Sequence, residues 1–186
     1  MISVREALER LFALISPMEP ETVALADASG RVMIEDAVAN RTQPPFAASA
    51  MDGYAVRAAE AAVGESLDVV GESAAGRRWD GTLPAGAAVR IFTGAPVPDG
   101  ADTILIQENA QRDGDRITVT DAPAPGEYVR PAGGDFKAGQ RLDAPLRLSP
   151  RDIALLAAMN VPHVTVSRRP VVALIPTGDE LVQPGE

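Results

Sequence analysis

The spacing of apolar and polar positions divides the chain into a helical start, a strand-rich middle and a mixed end. In residues 3–15, Ser3 and Glu6 form the capping-box pattern that begins many helices. Apolar side chains follow at helical spacing, at Val4, Leu8, Leu11 and Ile15. The pattern therefore predicts an amphipathic helix over 3–15 that ends before Pro17.

The middle of the chain, residues 42–135, consists of short apolar runs separated by glycine turns. Such runs are typical of β-strands joined by tight turns. Residues 103–120 predict a β-hairpin that reverses at Asp113-Gly114. We therefore expect a β-rich barrel or sandwich in this region, and a mainly β chain with α+β parts as a whole.

The end of the chain returns to a helical pattern and then to strands. Ser149 as cap, Pro150 in the first turn and Asp152 at the third position predict a second helix. A strand is expected at 163–167, and 171–175 is continuously apolar, as in a strand buried on both faces of a parallel sheet. Because one such strand cannot form a sheet, we expect the chain to be the front part of a longer protein.

Composition and charge narrow the classes of function. The chain of 186 residues is 46% hydrophobic and 23% charged, which is ordinary for a soluble globular protein. Its net charge of −9 argues against a nucleic-acid-binding module. The sequence has no signal-peptide pattern and no apolar run of membrane-spanning length. We therefore expect a cytoplasmic location and no membrane partner.

The chemistry available to a site is limited by two residue types. There is no cysteine, which removes disulfides, thiolate nucleophiles and cysteine zinc sites. His163 is the only histidine, and we expect it at the surface or at a strand edge. A site must therefore use carboxylates, hydroxyls, backbone amides, Arg or Lys, which suit Mg²⁺ and phosphate-like anions.

The loop at residues 44–56 contains two prolines, a run of small residues and an Asp-Gly step before a strand-like Tyr-Ala-Val. Its small residues suit close backbone approach, and Gly53 permits a positive φ. The loop either presents the Asp52 carboxylate to a ligand, with Ser49 in the same loop, or is only a turn.

Two further loops of the middle region carry polar groups. Thr93-Gly94 ends an apolar run, and its hydroxyl and free N–H groups can hold an anion, unless it is an ordinary turn. Arg130, Asp135 and Lys137 surround two glycines in a loop that can equally be a hinge or a domain junction.

The last loop, Asp179-Glu180, follows the predicted strand at 171–175. Ligands of α/β sheets bind at the carboxyl ends of strands, which favours a functional role. The alternative is that both carboxylates are simply solvated.

Four stretches together are more specific than any one loop: SAMDGYAV at 49–56, RIFTGAPVPDGADTILIQE at 90–108, R-x-x-G-x-D at 130–135 and TGDEL at 177–181. In this order they resemble the molybdopterin molybdenumtransferase family, which comprises the MoeA proteins and the E domain of gephyrin. The resemblance covers nearly the whole chain. It implies release of AMP from adenylylated molybdopterin and transfer of molybdate to the dithiolene sulfurs, with a divalent cation such as Mg²⁺.

The resemblance also implies site residues. Catalytic roles fall on Asp52, Thr93, Asp135 and Glu180. Cofactor-binding roles fall on Ser49, Gly94 and Arg130, and metal binding on Asp52 and Glu180. The carboxylates can hold a cation at the leaving phosphate or orient a water, and the Thr93 hydroxyl adds a hydrogen bond.

The resemblance further implies an elongated, multi-domain homodimer, with an upstream molybdopterin adenylyltransferase as a partner. The β-rich domain 42–135 is then inserted into a discontinuous first domain, made of 1–41 and 136–168. Residues 169–186 begin a truncated α/β domain.

The chain departs from the family in three respects. Ala48 stands where asparagine is usual, and Pro131 stands where many relatives have a second basic residue. The Gly-rich pterin and molybdate loops of the later domains do not occur in these 186 residues. We therefore expect the piece to be inactive alone. The alternative function is a scaffold or interaction module of the same fold, since fold does not settle function.

Overall fold

The computed structural model describes residues 2–178, 180, 182 and 185, and these form mostly strands. The α-helices are α1 Val4–Ala13 and α2 Pro150–Ala158, and the short 3-10 helices are Leu25–Asp27, Ala58–Glu60 and Gln107–Asn109. The strands in chain order are β1 Pro20–Ala24, β2 Val32–Met33, β3 Ala37–Val38, β4 Ala48–Ser49, β5 Gly53–Val56, β6 Ser66–Ser73, β7 Ala87–Ile91, β8 Thr103–Ile106, β9 Ala110–Asp113, β10 Arg116–Val119, β11 Val129–Arg130, β12 Arg141–Leu142, β13 Leu146–Arg147 and β14 His163–Ser167. The prediction of a mainly β chain with α+β parts is confirmed.

Internal contacts divide the chain into two compact units, each assembled from segments that are separated in the sequence. The first consists of Met1–Ala37, Arg141–Ala157 and Val161–Glu186, and the second of Val38–Gln140 and Ala158–Asn160. The domain boundaries expected after residues 41, 135 and 168 stay predictions. Among the described helices, none has the length and apolar character needed to cross a bilayer.

The first unit contains a four-stranded sheet in the order β1-β14-β2-β13. Strand β14 pairs antiparallel with β1, and its Val164 and Val166 are buried in the core of the unit. His163 begins β14 and is exposed, as predicted.

The two helices of the first unit begin where the capping patterns predict. The Ser3 hydroxyl oxygen accepts the Glu6 N–H at 3.1 Å, although the apolar face of α1 is exposed and contains no buried residue. At α2, the Asp152 carboxylate accepts the Ser149 N–H at 2.7 Å, and the Ser149 hydroxyl accepts the Asp152 N–H at 3.4 Å. The Ser149 hydroxyl and the Ser149 N–H, as donors to the Asp152 carboxylate, lower the pKa of Asp152.

Residues 171–175 do not form the predicted strand. Val171, Leu174 and Ile175 are almost fully exposed, and the segment has no regular structure. An extended segment becomes a strand only where a neighbouring strand takes up its N–H and C=O groups, and no described strand pairs with this one.

The second unit is built on a six-stranded sheet in the order β8-β5-β7-β6-β10-β9. Neighbouring strands are antiparallel except for β6 and β7, which run parallel. The predicted hairpin is present as β9 and β10, which reverse at Gly114. Strand β8, which begins the same sequence stretch, pairs with β5 instead.

Strand β5 lies inside this sheet and is buried on both faces. One face packs the cluster Tyr54, Val56, Leu67, Ala88, Leu105 and Ile117, and the other packs Ala55, Ala87, Val89, Ile91 and Ile104. The alternation follows from the two-residue period of a strand. Because β5 follows Asp52 directly, its two packed faces fix where that residue lies.

Gly53 is required for the close approach of two strands and not for a positive φ. Its backbone lies outside the positive-φ region, so conformational freedom is not the cause. A Cβ atom at this position would lie 2.1 Å from the carbonyl oxygen of Leu105 in β8. The absence of a side chain therefore permits the close approach of β5 and β8.

We predict that Gly53→Ala lowers the free energy of unfolding by about 3 kcal/mol, because backbone atoms in mid-sheet cannot move aside cheaply. The matched control is Gly71→Ala, whose added Cβ would meet the partly buried Trp79 side chain at 2.2 Å, a side chain that shifts at lower cost than paired sheet backbone. Urea unfolding of both variants measures the difference. An equal or smaller loss for Gly53→Ala than for Gly71→Ala would contradict the packing argument.

Candidate active site

The loop that leads to Asp52 is held against the turn after β7 by backbone hydrogen bonds. The Ser49 N–H donates to the Ala95 carbonyl at 3.0 Å, and the Gly94 N–H donates to the Ser49 carbonyl at 2.8 Å. The Ser49 side chain is buried, and its hydroxyl donates to the Met51 carbonyl at 2.6 Å. Ser49 therefore shapes the loop, and its predicted role in cofactor binding stays a prediction.

Asp52 and Thr93, two of the predicted site residues, are in direct contact. Oδ1 of Asp52 accepts the Thr93 backbone N–H at 2.8 Å and the Thr93 hydroxyl at 2.8 Å. The Asp52 carbonyl also accepts the Gln107 N–H at 3.1 Å. Thr93, which follows β7, thus fixes the half-buried carboxylate, and Gln107, which follows β8, fixes the Asp52 backbone. We call the contact between the first two residues the Asp52–Thr93 pair.

The predicted anion site at Thr93-Gly94 has a different use in the structure. The Thr93 N–H donates to Asp52, and the Gly94 N–H donates to Ser49. These two N–H groups are therefore not free to bind an anion. Gly94 has φ of +81°, which the turn requires and which favours glycine.

The hydrogen bonds determine the charge state of Asp52. The Thr93 N–H lowers the pKa of the Asp52 carboxyl most, followed by the Thr93 hydroxyl, and the positive charge of Arg90 lowers it further. Partial desolvation acts in the opposite direction. Asp52 is therefore ionised at neutral pH, which suits an acceptor of hydrogen bonds or a cation ligand better than a proton donor.

Arg90 is a residue that the sequence analysis missed. It lies in β7, where its Nη1 donates to the Gly53 carbonyl at 3.2 Å and its Nη2 donates to Oε1 of Gln107 at 2.9 Å. The available signal was a single charged side chain in the otherwise apolar strand Ala87–Ile91. That signal alone does not say which groups the arginine meets.

Arg130 and Asp135 form an ion pair in the glycine-rich loop. Nη2 of Arg130 lies 2.7 Å from Oδ1 and 3.0 Å from Oδ2 of Asp135. The loop is tied to the start of the first loop, since the Asp135 N–H donates to the Gln43 carbonyl at 3.0 Å and the Gly133 N–H to the Pro44 carbonyl at 2.9 Å. Among the described hydrogen bonds and ion pairs, none joins this ion pair to the Asp52–Thr93 pair.

Two of the three departures from the family, Ala48 and Pro131, lie at this loop junction. Ala48 is buried and pairs with Arg130 across β4 and β11. The Pro131 carbonyl accepts the Gly134 N–H at 3.1 Å, which closes the turn of the glycine-rich loop.

The remaining predicted site residue, Glu180, belongs to the first unit, where its side chain is exposed. Its neighbour Asp179 lies outside the described residues. The catalytic and metal-binding roles of Glu180 stay predictions.

The described residues do not fit a self-contained Mg²⁺ site. No group of three or more His, Asp or Glu side chains among them is placed to hold a metal ion. At the Asp52–Thr93 pair the chain supplies a single carboxylate, and one of its oxygens already accepts two hydrogen bonds. Metal binding by Asp52 therefore also stays a prediction.

The family model of the MoeA N-terminal region, domains I and II, matches residues 2–160. The chain belongs to this family. Among curated proteins, the molybdopterin molybdenumtransferase of Nostoc sp. is 41% identical and that of Haemophilus influenzae 34% identical, each over 100% of this chain. The matches cover 46% and 47% of those proteins, so the chain spans about half the length of these relatives.

Solved structures of MoeA proteins have the same fold. A molybdopterin biosynthesis MoeA protein from Pyrococcus horikoshii matches with a TM-score of 0.81 and 33% identity, over 100% of this chain and 49% of that one. A second structure from Pyrococcus horikoshii OT3 matches with a TM-score of 0.82 and 35% identity, over 89% of this chain and 46% of that one. The β-rich arrangement of this MoeA-family chain is therefore that of its relatives.

We predict that Thr93→Val raises the pKa of Asp52 towards its ordinary value, because the variant keeps the N–H donor and loses the hydroxyl. Thr93→Ser keeps both donors and should leave the pKa lowered. An NMR titration of the Asp52 carboxyl carbon in the 186-residue chain measures the two values. A lowered pKa in Thr93→Val equal to that of the unsubstituted chain would contradict the role of the hydroxyl.

The same pair makes stability depend on pH. Since the pKa of Asp52 is lower in the folded chain than in the unfolded one, its contribution is present above the unfolded value and is lost as pH falls through the folded value. The stability difference between Thr93→Ser and Thr93→Val should therefore be largest at neutral pH and shrink below about pH 4. Urea unfolding of the two variants at neutral pH and below about pH 4 tests this. A stability difference that grows on acidification would contradict it.

Proposed function

We propose that the chain supplies part of the active site of a molybdopterin molybdenumtransferase, an enzyme of molybdenum cofactor biosynthesis. The proposal is supported by the names of its relatives and by the Asp52–Thr93 pair. In the proposed reaction, AMP is released from adenylylated molybdopterin, and molybdate is bound by the dithiolene sulfurs. The homodimer, the adenylyltransferase partner and the cytoplasmic location are further parts of this proposal.

The observation that carries the proposal is the fixed, ionised carboxylate of Asp52. Its Oδ1 is held by Thr93, which leaves Oδ2 to accept a hydrogen bond from a ligand or a water. Among the described residues, no donor occupies Oδ2. A carboxylate with a lowered pKa is a weak base, so its contribution is to orient a water molecule and not to remove its proton.

The release of AMP needs such an oriented water. The water oxygen forms a bond to phosphorus while the phosphoanhydride P–O bond breaks, so that AMP and molybdopterin with its own phosphate separate, and the proton of the water passes to solvent. Holding the water in line with the breaking bond lowers the entropic part of the barrier. Thr93 acts through Asp52, because its hydroxyl proton is directed to Oδ1.

Activity can be measured in a chimera in which these 186 residues replace the matching half of the Nostoc relative. We predict that Asp52→Asn lowers the rate of AMP release at least about 100-fold, which is typical for loss of a group that orients a reactant. The folded state should be retained, because the amide oxygen can still accept the Thr93 N–H.

The matched control is Asp68→Asn, an exposed carboxylate on β6 that pairs with Arg116. It should leave the rate of AMP release unchanged. A fully active, folded Asp52→Asn chimera would contradict the catalytic role and favour the scaffold function.

We also predict that the 186-residue chain alone releases no AMP, because its relatives are about twice as long. The measurement is AMP formation from adenylylated molybdopterin by the isolated chain, with the chimera as positive control. Release by the isolated chain at the rate of the chimera would show that the site is complete within these residues.

A further inference from the structure

We propose that Arg90 is a positioning residue that holds the backbone on both sides of the Asp52–Thr93 pair. This inference rests on the proposed function, since it gives Arg90 a role in the same site. The catalytic importance of the pair and its positioning by Arg90 are separable, and the experiments below separate them.

The hydrogen bonds of Arg90 reach the residue that follows Asp52 and the residue that follows β8. Nη1 donates to the carbonyl of Gly53, the residue next to Asp52 in the sequence, at 3.2 Å. Nη2 donates at 2.9 Å to the side chain of Gln107, whose own N–H donates to the Asp52 carbonyl at 3.1 Å. One planar guanidinium therefore connects β7 with the start of β5 and with the residue after β8.

The aromatic contacts of Arg90 reach the Thr93 side of the pair. The guanidinium carbon lies 4.8 Å from the ring centre of Phe92, which directly precedes Thr93. It also lies 5.2 Å from the ring centre of Tyr54, its partner across β5 and β7. A planar cation on aromatic rings is stabilised in a fixed orientation, which a lysine ammonium does not reproduce.

The charge of Arg90 is not neutralised by its own partners. Both hydrogen-bond acceptors are neutral oxygens, one of a backbone carbonyl and one of an amide. Glu72 lies opposite Arg90 on β6, but its carboxylate pairs with Arg77. The positive charge of Arg90 therefore acts on Asp52 and lowers its pKa.

Other charged groups near Arg90 lie along an open cleft of about 370 Å³ on β6 and β7. They are Glu72, Arg112 and Asp115. Arg112 donates to the Gly114 carbonyl at 2.9 Å, within the β9–β10 turn. Arg112 is thus a matched control, because it lines the same cleft and has no contact with the Asp52–Thr93 pair among the described hydrogen bonds.

The test is an NMR study of the 186-residue chain with Arg90→Met, Arg90→Lys and Gln107→Met, and with Arg112→Met as control. Arg90→Met should raise the pKa of Asp52 and speed exchange of the Thr93 amide about tenfold, the equivalent of one hydrogen bond. Arg90→Lys should speed exchange of the Thr93 amide by a similar factor and raise the pKa of Asp52 less. Lysine keeps the positive charge but lacks the planar guanidinium that makes both hydrogen bonds. Arg112→Met should change neither.

The inference is overturned if folded Arg90→Met leaves the Thr93 exchange unchanged, whether or not the pKa of Asp52 rises, because loss of the Arg90 charge alone changes that pKa. If Arg90→Met does not fold, Arg90→Lys and Gln107→Met provide the test instead. Each removes part of the hydrogen bonding between Arg90, Gly53 and Gln107 and changes the side-chain volume little. Unchanged Thr93 exchange in these folded variants also overturns it.

Rates of AMP release in the chimera separate this inference from the proposed function. A positioning role predicts that Arg90→Lys lowers kcat and leaves KM nearly unchanged. Faster Thr93 exchange in the Arg90 variants, together with full AMP release by Asp52→Asn, would support positioning of the pair and contradict the catalytic role of Asp52. Loss of AMP release in Asp52→Asn with unchanged Thr93 exchange in the Arg90 variants would support the catalytic role and overturn positioning.

Discussion

The two hydrogen bonds from Thr93 to Oδ1 of Asp52 are the interaction on which the site depends. They hold a carboxylate in one orientation and keep it ionised. Neither residue is held by its own loop alone. Asp52 is placed by β5, which packs on both faces, and Thr93 follows β7, the neighbour of β5 in the sheet.

The close approach of β5 and β8 at Gly53 also fixes the position of Asp52. A side chain at Gly53 would meet the Leu105 carbonyl, so the strand that carries Asp52 can reach its place only with glycine there. Arg90 then connects the segments next to the pair through neutral acceptors. The packing of the sheet therefore fixes the strands, and the strands in turn position the loop residues of the site.

Local signals in the sequence were enough to predict some of this structure. The helix caps at Ser3 and Ser149 and the turn at Gly114 depend on neighbours within a few residues, and each is present. The roles of Gly53 and Arg90 depend on β8 and β5, which are distant in the sequence, so residue patterns could not show them. The segment 171–175 had the pattern of a buried strand, but pairing needs a partner strand that pattern alone does not supply.

The site residues were predicted through the resemblance to the MoeA family, and the structure adds how two of them are related. Asp52 and Thr93 are partners, whereas Arg130 and Asp135 neutralise each other in a separate loop. The account gives Thr93 no independent contact with the substrate. Its importance for AMP release should therefore vanish when Asp52 cannot act.

A double-mutant cycle of AMP release in the chimera, with Asp52→Asn, Thr93→Val and both together, tests this central claim most directly. The account predicts that Thr93→Val lowers the rate in the unsubstituted background and has almost no further effect in the Asp52→Asn background. Fully additive losses would show that Thr93 acts independently of Asp52 and would contradict the account.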